Sequence, residues 1–211
     1  MLSLRRAIVC AALVASVMAL AATAAPAATR AGRCATPAQR FALGHRVSHL
    51  RTVLKTRRVW ILHTNKSFGD EYFACWRPTG LARRIGFTSG GAALTDTSLE
   101  SFVLNGRFVA FHIRAAGDEH YDRFRSFDVR ALRFARDTGK VPATQDATPT
   151  AVVVTSRGAL AWLASATLHA TDAGATRVIV APSGGPISDF AARGRTVFWT
   201  QSGVRRSAAL D

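Results

Sequence analysis

The sequence predicts an all-β fold of antiparallel repeats, and three observations support this prediction. A hairpin of two apolar strands around a tight turn recurs four times, at 53–61, 103–111, 153–162 and 190–199. The large residues that close the four copies lie 50, 51 and 37 positions apart, a spacing typical of propellers and stacked β-arrays. No helical periodicity of 3.6 residues persists beyond about residue 24. We therefore expect a small or incomplete β-propeller, with a β-sandwich of the same hairpins as the alternative.

The first 24 residues have the pattern of an export signal. Arg5 and Arg6 precede an apolar run without a charge, and the Ala-Thr-Ala sequence at 22–24 supplies small residues for cleavage. A retained signal-anchor helix is the alternative, although the run is short for a bilayer span of about 20 residues. We expect residues 25–44, with Ala, Thr, Pro and Arg and no periodicity, to be a flexible lead-in to a repeat domain at 45–211.

The first two repeat units are expected at about 45–90 and 94–136. Each contains four apolar stretches separated by turn residues, which is the size of one propeller blade. Asn105-Gly106 lies between two apolar runs and predicts a type I′ hairpin turn, because both residue types tolerate a positive φ. Gly, Pro, Thr and Asp residues at 137–149 then predict a linker.

The third unit, at about 149–181, again has four strand patterns, and a Pro- and Gly-rich segment separates it from the fourth, at about 186–211. The fourth unit has three apolar stretches and is therefore one strand short of a blade. A strand from the other end of the chain often completes the last blade of a closed propeller. Residues Arg40-Phe41-Ala42-Leu43 are the candidate for that strand.

The three cysteines allow one disulfide in the exported chain. Cys10 lies within the expected export signal, so Cys34 and Cys75 remain. An oxidising compartment permits a bond between these two residues. Such a bond would tie the poorly patterned segment before the first repeat to the first unit, whereas two buried free thiols are the alternative.

The chain is strongly basic, with 28 basic and 13 acidic residues and a formal net charge of +15. Such an excess is typical of proteins that bind nucleic acid, anionic lipid or a cell-wall polymer. The arginines are scattered, however, and no aromatic residues alternate with them as in base-stacking surfaces. We interpret the charge mainly as a consequence of a GC-rich composition, expect no specific nucleic-acid binding, and retain an anionic envelope polymer as a candidate partner.

Three segments, at 72–77, 102–111 and 195–203, carry strand-and-turn patterns. With these segments, the chain from about residue 34 to 211 resembles a family of exported β-propeller-like proteins from high-GC actinobacteria. The resemblance implies the architecture. That family has no assigned activity, so the resemblance implies no functional residue.

A repeated acidic motif is the one candidate for a metal site. Gly-Asp-Glu occurs at 69–71 and again at 117–119, each time between the second and third strand patterns of a unit. If these loops share one face, their carboxylates could hold a hard cation through oxygen ligands, although Gly-Asp is also ordinary turn chemistry. The candidate ligands are Asp70, Glu71, Asp118, Glu119 and Asp122.

No catalytic or cofactor motif is present in the sequence, so no catalytic residue and no cofactor are predicted. Of the four tryptophans, three are expected in the core and Trp76 is expected to be partly exposed. We favour a non-catalytic, exported scaffold that binds a protein or a cell-envelope polymer. An extracytoplasmic hydrolase or lyase acting on a sugar polymer is the alternative, which convergent Asp, Glu, His or Arg side chains in a central channel would favour.

Overall fold

The computed structural model describes Cys34 and residues 50–66, 69–89, 95–143, 149–173 and 175–211. The expected export signal, the candidate strand at 40–43 and most of the lead-in lie outside these residues. In this described part of the chain, sixteen strands form four antiparallel sheets, in which sequence neighbours pair as meanders. Within the described residues, no helix is both long and apolar enough to cross a bilayer.

Sheets 1 and 2 have the strand orders β1-β2-β3-β4 and β5-β6-β7-β8. Sheet 1 consists of β1 (Leu50–Lys55), β2 (Val59–Lys66), β3 (Gly69–Trp76) and β4 (Leu81–Phe87). Sheet 2 consists of β5 (Thr95–Asn105), β6 (Phe108–Gly117), β7 (Tyr121–Asp128) and β8 (Arg133–Asp137), with the short β9 (Val141–Pro142) paired to β7. Part of the predicted linker at 137–149 is therefore a strand of sheet 2.

Sheets 3 and 4 have the strand orders β10-β11-β12-β13 and β14-β15-β16. Sheet 3 consists of β10 (Pro149–Val154), β11 (Leu160–Ala164), β12 (Thr167–Thr171) and β13 (Thr176–Val180). A single 3₁₀ turn, Pro182–Gly184, leads to sheet 4, which consists of β14 (Ile187–Arg193), β15 (Thr196–Gln201) and β16 (Val204–Ala209). The fourth sheet has three strands, as its three apolar stretches predicted.

The sheets pack against one another in chain order. Strand β4 lies against β5, β10 lies against both β5 and β6, and β14 lies against β10. Four separate meanders, each packed on the next, confirm the predicted all-β, propeller-like repeat.

The core lies between successive sheets and contains the four residues that close the repeated hairpins. Alternating side chains of a strand point to opposite faces of its sheet, so one apolar set per strand is buried. The closing residues are all less than one tenth exposed and are Ile61, Phe111, Trp162 and Trp199. The predicted repeat therefore corresponds to a physical unit, since each hairpin contributes one large side chain to the packing between sheets.

The turn between β5 and β6 differs from the predicted type I′ turn. Asn105 pairs with Phe108 across the hairpin, so the two loop residues are Gly106 and Arg107. Of these two, only Gly106 has a positive φ, +63°, which is the pattern of a type II′ turn. Asn105 ends its strand, and its Nδ2 donates a hydrogen bond of 2.9 Å to the carbonyl of Val154 on β10. The asparagine therefore joins sheets 2 and 3.

Cys34 and Cys75 form a disulfide, with their Cα atoms 5.7 Å apart. Both residues are fully buried and pack with Leu62 and Phe73 of sheet 1. The bond attaches Cys34 to β3, as the cysteine count predicted.

An aromatic stack joins sheets 2 and 3. The ring of His112 stacks on Phe124, Phe124 on Trp162, and Trp162 on His169, with centroids 4.8, 4.6 and 5.2 Å apart. His112 also lies 2.6 Å from the carboxylate of Asp122 through its Nε2. Burial lowers the pKa of His169 below the ordinary value for imidazole, because the charged form loses hydration there.

We expect His169 to make the folded protein less stable as the pH falls below about 6.5, the imidazole pKa of an unfolded chain. The lower pKa in the folded state means that the unfolded chain binds more protons in this range, so the free energy of unfolding decreases with decreasing pH. Denaturant unfolding of wild type and His169→Gln should show the wild type losing stability relative to the variant as the pH is lowered. Equal pH dependence of the two proteins would contradict this expectation.

Candidate anion-binding cleft

Turns of three sheets meet at one end of the molecule and form a cleft of about 590 Å³. In an antiparallel meander, the turn after the first strand and the turn after the third strand lie at the same end of the sheet, which is why turns from different sheets can meet there. The residues that line the cleft are Thr56, Arg57, Arg58, Trp76, Gly106, Arg107, Arg130 and Ser156. Four of these eight residues are arginines from sheets 1 and 2.

An arginine recurs in the turn between the first two strands of every sheet. These turns, of two to five residues, lie at the surface, and their exposed side chains project from the end of the sheet. The arginines at the four first turns are Arg58, Arg107, Arg157 and Arg195. The arginines look scattered along the linear sequence, and their recurrence is visible only when the four hairpins are aligned on their turns.

The cleft contains more positive charge than its surroundings neutralise. Arg107 Nε lies 3.0 Å from Oδ2 of Asp128, and the other oxygen of this carboxylate accepts hydrogen bonds from the amides of Arg130 and Ala131. Asp128 is therefore engaged through both oxygens, one by Arg107 and the other by its own turn. Among the described residues, the exposed side chains of Arg57, Arg58 and Arg130 have no carboxylate partner.

The turn that carries Arg57 and Arg58 is held in place by Thr56 and Arg77 through three hydrogen bonds. Thr56 Oγ1 accepts hydrogen bonds of 3.0 Å from the amide of Val59 and 3.3 Å from that of Arg58. The guanidinium of Arg77 donates from Nη1 to the carbonyl of Arg57 at 3.1 Å and stacks over Trp60, 4.7 Å from its ring centroid. A preorganised turn loses less conformational entropy when its side chains bind a ligand.

The first turns of sheets 3 and 4 extend the same end of the molecule. The amide of Ser156, which lines the cleft, donates a hydrogen bond of 2.7 Å to the carbonyl of Gly194. The next residues in these two turns, Arg157 and Arg195, place their Nη1 atoms 3.1 and 3.2 Å from Oδ1 of Asp211. The arginines of these two turns therefore share one carboxylate.

The lining of the cleft suits an anionic ligand. Its eight described residues include four arginines and no His, Cys, Asp or Glu. Guanidinium groups are always charged and present paired donors that match phosphate and carboxylate oxygens. The half-buried ring of Trp76 adds one apolar wall.

The carboxylates proposed from sequence as metal ligands lie near the opposite ends of the strands, and most of them form ion pairs within their own sheet. Oδ2 of Asp70 lies 3.1 Å from Nε2 of His63. Glu71, which is buried, lies 3.0 Å from Arg84.

Sheet 2 uses its candidate ligands in a similar way. The buried Asp122 is held by His112 at 2.6 Å and by Arg114 at 3.3 Å. Glu119 pairs with Lys140 at 2.5 Å, while Asp118 is exposed. Across the described ranges, no group of three or more His, Cys, Asp or Glu residues is arranged to hold a metal ion.

The tryptophans follow the sequence expectation with one exception. Trp162 and Trp199 are buried, and Trp76 is half-buried at the cleft. Trp60 was expected in the core but is half-buried beneath Arg77. It lies on the side of β2 that faces the disulfide cluster rather than sheet 2.

Comparison with known proteins adds little to this geometry. No family model matches the chain, and no curated protein matches it. The chain is similar to one chain from a structural and mechanistic analysis of two prolyl endopeptidases, with a TM-score of 0.46 and 14% identity over 82% of this chain. This chain spans about 28% of the length of that protein. A similarity of this strength gives no basis for transferring an activity.

Proposed function

We propose that the repeat domain is a non-catalytic, extracytoplasmic scaffold that binds an anionic partner of the cell envelope in the arginine cleft. The convergence of four arginines from two sheets, with one carboxylate among them, supports this proposal. Like charges that are brought together without a ligand repel one another, so an anion in the cleft would relieve a cost that the fold already bears.

The disulfide between Cys34 and Cys75 supports an extracytoplasmic location, because such bonds persist in oxidising compartments. The expected export signal at 1–24 agrees with this location. In the proposal, the mature protein acts outside the cytoplasm, where anionic polymers of the envelope are accessible.

A hydrolase or lyase acting on a sugar polymer is less well supported. Arginines could neutralise the carboxylates of such a substrate, and their convergence alone would suit an enzyme. Proton abstraction or leaving-group protonation also needs a titratable side chain within hydrogen-bond reach. The described lining of the cleft offers only the hydroxyls of Thr56 and Ser156 beside its arginines.

Replacing Arg57 and Arg58 together with Ala should weaken binding to a purified envelope fraction roughly tenfold, since each lost charge-assisted contact at a surface site contributes a modest amount. Co-sedimentation at low and raised salt measures the effect. The matched control is Arg51→Ala with Arg205→Ala, two exposed arginines outside the cleft, which changes the net charge equally. Equal losses in the two double variants would mean that total charge governs binding and would contradict the cleft.

A further inference from the structure

At the end of the molecule where the first turns meet, one of the protein's own carboxylates contacts the arginines of sheets 3 and 4 but not those of sheets 1 and 2. In sheets 1 and 2, the exposed side chains of Arg57, Arg58 and Arg130 have no carboxylate partner among the described residues. In sheets 3 and 4, Arg157 and Arg195 both contact Oδ1 of Asp211. Asp211 thus sits where a ligand anion could sit.

We propose that the cleft takes a linear phosphate polymer, and that the polymer continues past the cleft to Arg157 and Arg195 and displaces the side chain of Asp211. This inference rests on the proposed function, because it names the ligand of the same cleft. In the free protein, the side chain of Asp211 occupies the positions beside Arg157 and Arg195 that the polymer would take, and so competes with it.

The path from the cleft to Arg157 is continuous. Ser156 lines the cleft, and Arg157 is the next residue along the same turn, so their Cα atoms are about 3.8 Å apart. The hydrogen bond from the amide of Ser156 to the carbonyl of Gly194 then brings the first turn of sheet 4, which carries Arg195, against the first turn of sheet 3. A ligand that bridges the cleft and this pair must carry negative charges in series, and therefore must be a polymer rather than a single anion.

Phosphate suits this arrangement better than carboxylate. The guanidiniums approach the cleft from turns of different strands. The two free oxygens of an internal phosphate accept hydrogen bonds from directions all around the P–O bonds, whereas a carboxylate accepts mainly within its own plane. Each unit of a phosphate chain keeps its charge at neutral pH, and Arg pairs with phosphate through two parallel donors.

Asp211 is a removable competitor. Its side chain is 69% exposed, and its two contacts are surface ion pairs, which are individually weak. Its main-chain oxygen separately accepts hydrogen bonds from the amide of Ala173 at 2.8 Å and from Arg136 at 3.3 Å. The side chain can therefore move away while the backbone contacts remain.

The test is calorimetric titration of the full mature chain with long-chain inorganic polyphosphate, with tripolyphosphate and with polygalacturonate of matched length. Asp211→Asn should raise the affinity for long-chain polyphosphate about three- to tenfold, the range expected when two surface ion pairs no longer compete. It should leave the affinity for tripolyphosphate within about twofold, because a short chain fills only the cleft. The charge control is Asp189→Asn, an exposed residue of sheet 4 that should change neither affinity.

The outcomes separate this inference from the proposed function. If Asp211→Asn leaves the long-chain affinity unchanged, or raises both affinities equally, the extended track is wrong although the cleft still binds anions. Polygalacturonate that binds as tightly as long-chain polyphosphate would overturn the assignment to phosphate. If no probe binds, and Arg57→Ala with Arg58→Ala changes nothing, the proposed function itself fails. Unchanged thermal midpoints of the Asp211 and Asp189 variants would show that both proteins remain folded.

Discussion

Replacing Trp162 with Ala should destabilise the protein by about 3–5 kcal/mol, the range for truncating a large aromatic side chain in a core. The side chain is 1% exposed and is stacked between Phe124 and His169, at 4.6 and 5.2 Å. It therefore contributes to the packing within sheet 3 and to the contact with sheet 2. The cavity left by the indole would open in the buried cluster between sheets 2 and 3, in which Trp162 is the largest side chain.

Trp60 provides the matched control for this substitution. It also lies on the second strand of its sheet, but it is half-buried, with the guanidinium of Arg77 above its ring. Trp60→Ala should cost clearly less than Trp162→Ala, because less apolar area is lost from the interior. Urea unfolding monitored by circular dichroism would measure both values. Equal losses would mean that the stack between sheets 2 and 3 has no special weight in the stability of the fold.

The architecture could be predicted because it depends on local patterns that repeat. Each hairpin combines two apolar strands, a short turn and a large closing residue, and Phe111 and Trp162 are buried at equivalent places between sheets. A period of two residues along a strand fixes which side chains face the interior. The fourth sheet could be predicted to have three strands for the same reason, because its repeat unit contains three apolar stretches instead of four.

The predictions that were wrong concern features that depend on contacts between sheets. Asn-Gly favours a type I′ turn locally, but Asn105 is used to bind the carbonyl of Val154 on the next sheet, which leaves Gly106 and Arg107 as the loop. The prediction that Trp60 lies in the core was wrong for a similar reason. The side chain that faces sheet 2 is that of its neighbour, the closing residue Ile61. Propensity and pattern carry no information about which neighbouring sheet a side chain will meet.

The cleft could not be recognised from the linear spacing of its residues. Arg58 and Arg107 lie 49 positions apart and belong to different sheets, so a search for runs of basic residues does not connect them. The signal was the recurrence of arginine at the first turn of every unit. Aligning the four hairpins on their turns, rather than on their closing residues, would have shown it.

The acidic residues show the opposite effect. Their repetition suggested a shared cation, yet Glu71 and Asp122 are each paired with an arginine of their own sheet. Neighbouring strands bring opposite charges within a few ångströms, and a sequence with 28 basic residues supplies such partners readily. A repeated carboxylate is therefore weaker evidence for a metal site in a basic β-protein than in an acidic one.

Removing the bond between Cys34 and Cys75 should lower the free energy of unfolding by about 3–4 kcal/mol, because it frees a loop of 41 residues in the unfolded chain. The comparison is Cys34→Ala with Cys75→Ala against the wild type, each measured with and without reductant. Reduction should destabilise the wild type nearly to the level of the double variant and should leave the double variant unchanged. The small remaining difference should reflect the two sulfur atoms that pack with Phe73 in the buried cluster.

The disulfide also tests how the lead-in relates to the repeat domain. Cys34 is fully buried against sheet 1, so this residue contributes packing as well as the covalent bond. If packing alone held Cys34 in place, reduced wild type would unfold at the same denaturant concentration as oxidised wild type, and the double alanine variant would be less stable than both. We expect instead that reduced wild type and the double variant unfold at nearly the same denaturant concentration, well below that of the oxidised protein. The reason is that a loop of this length loses much of its conformational freedom when its ends are bonded.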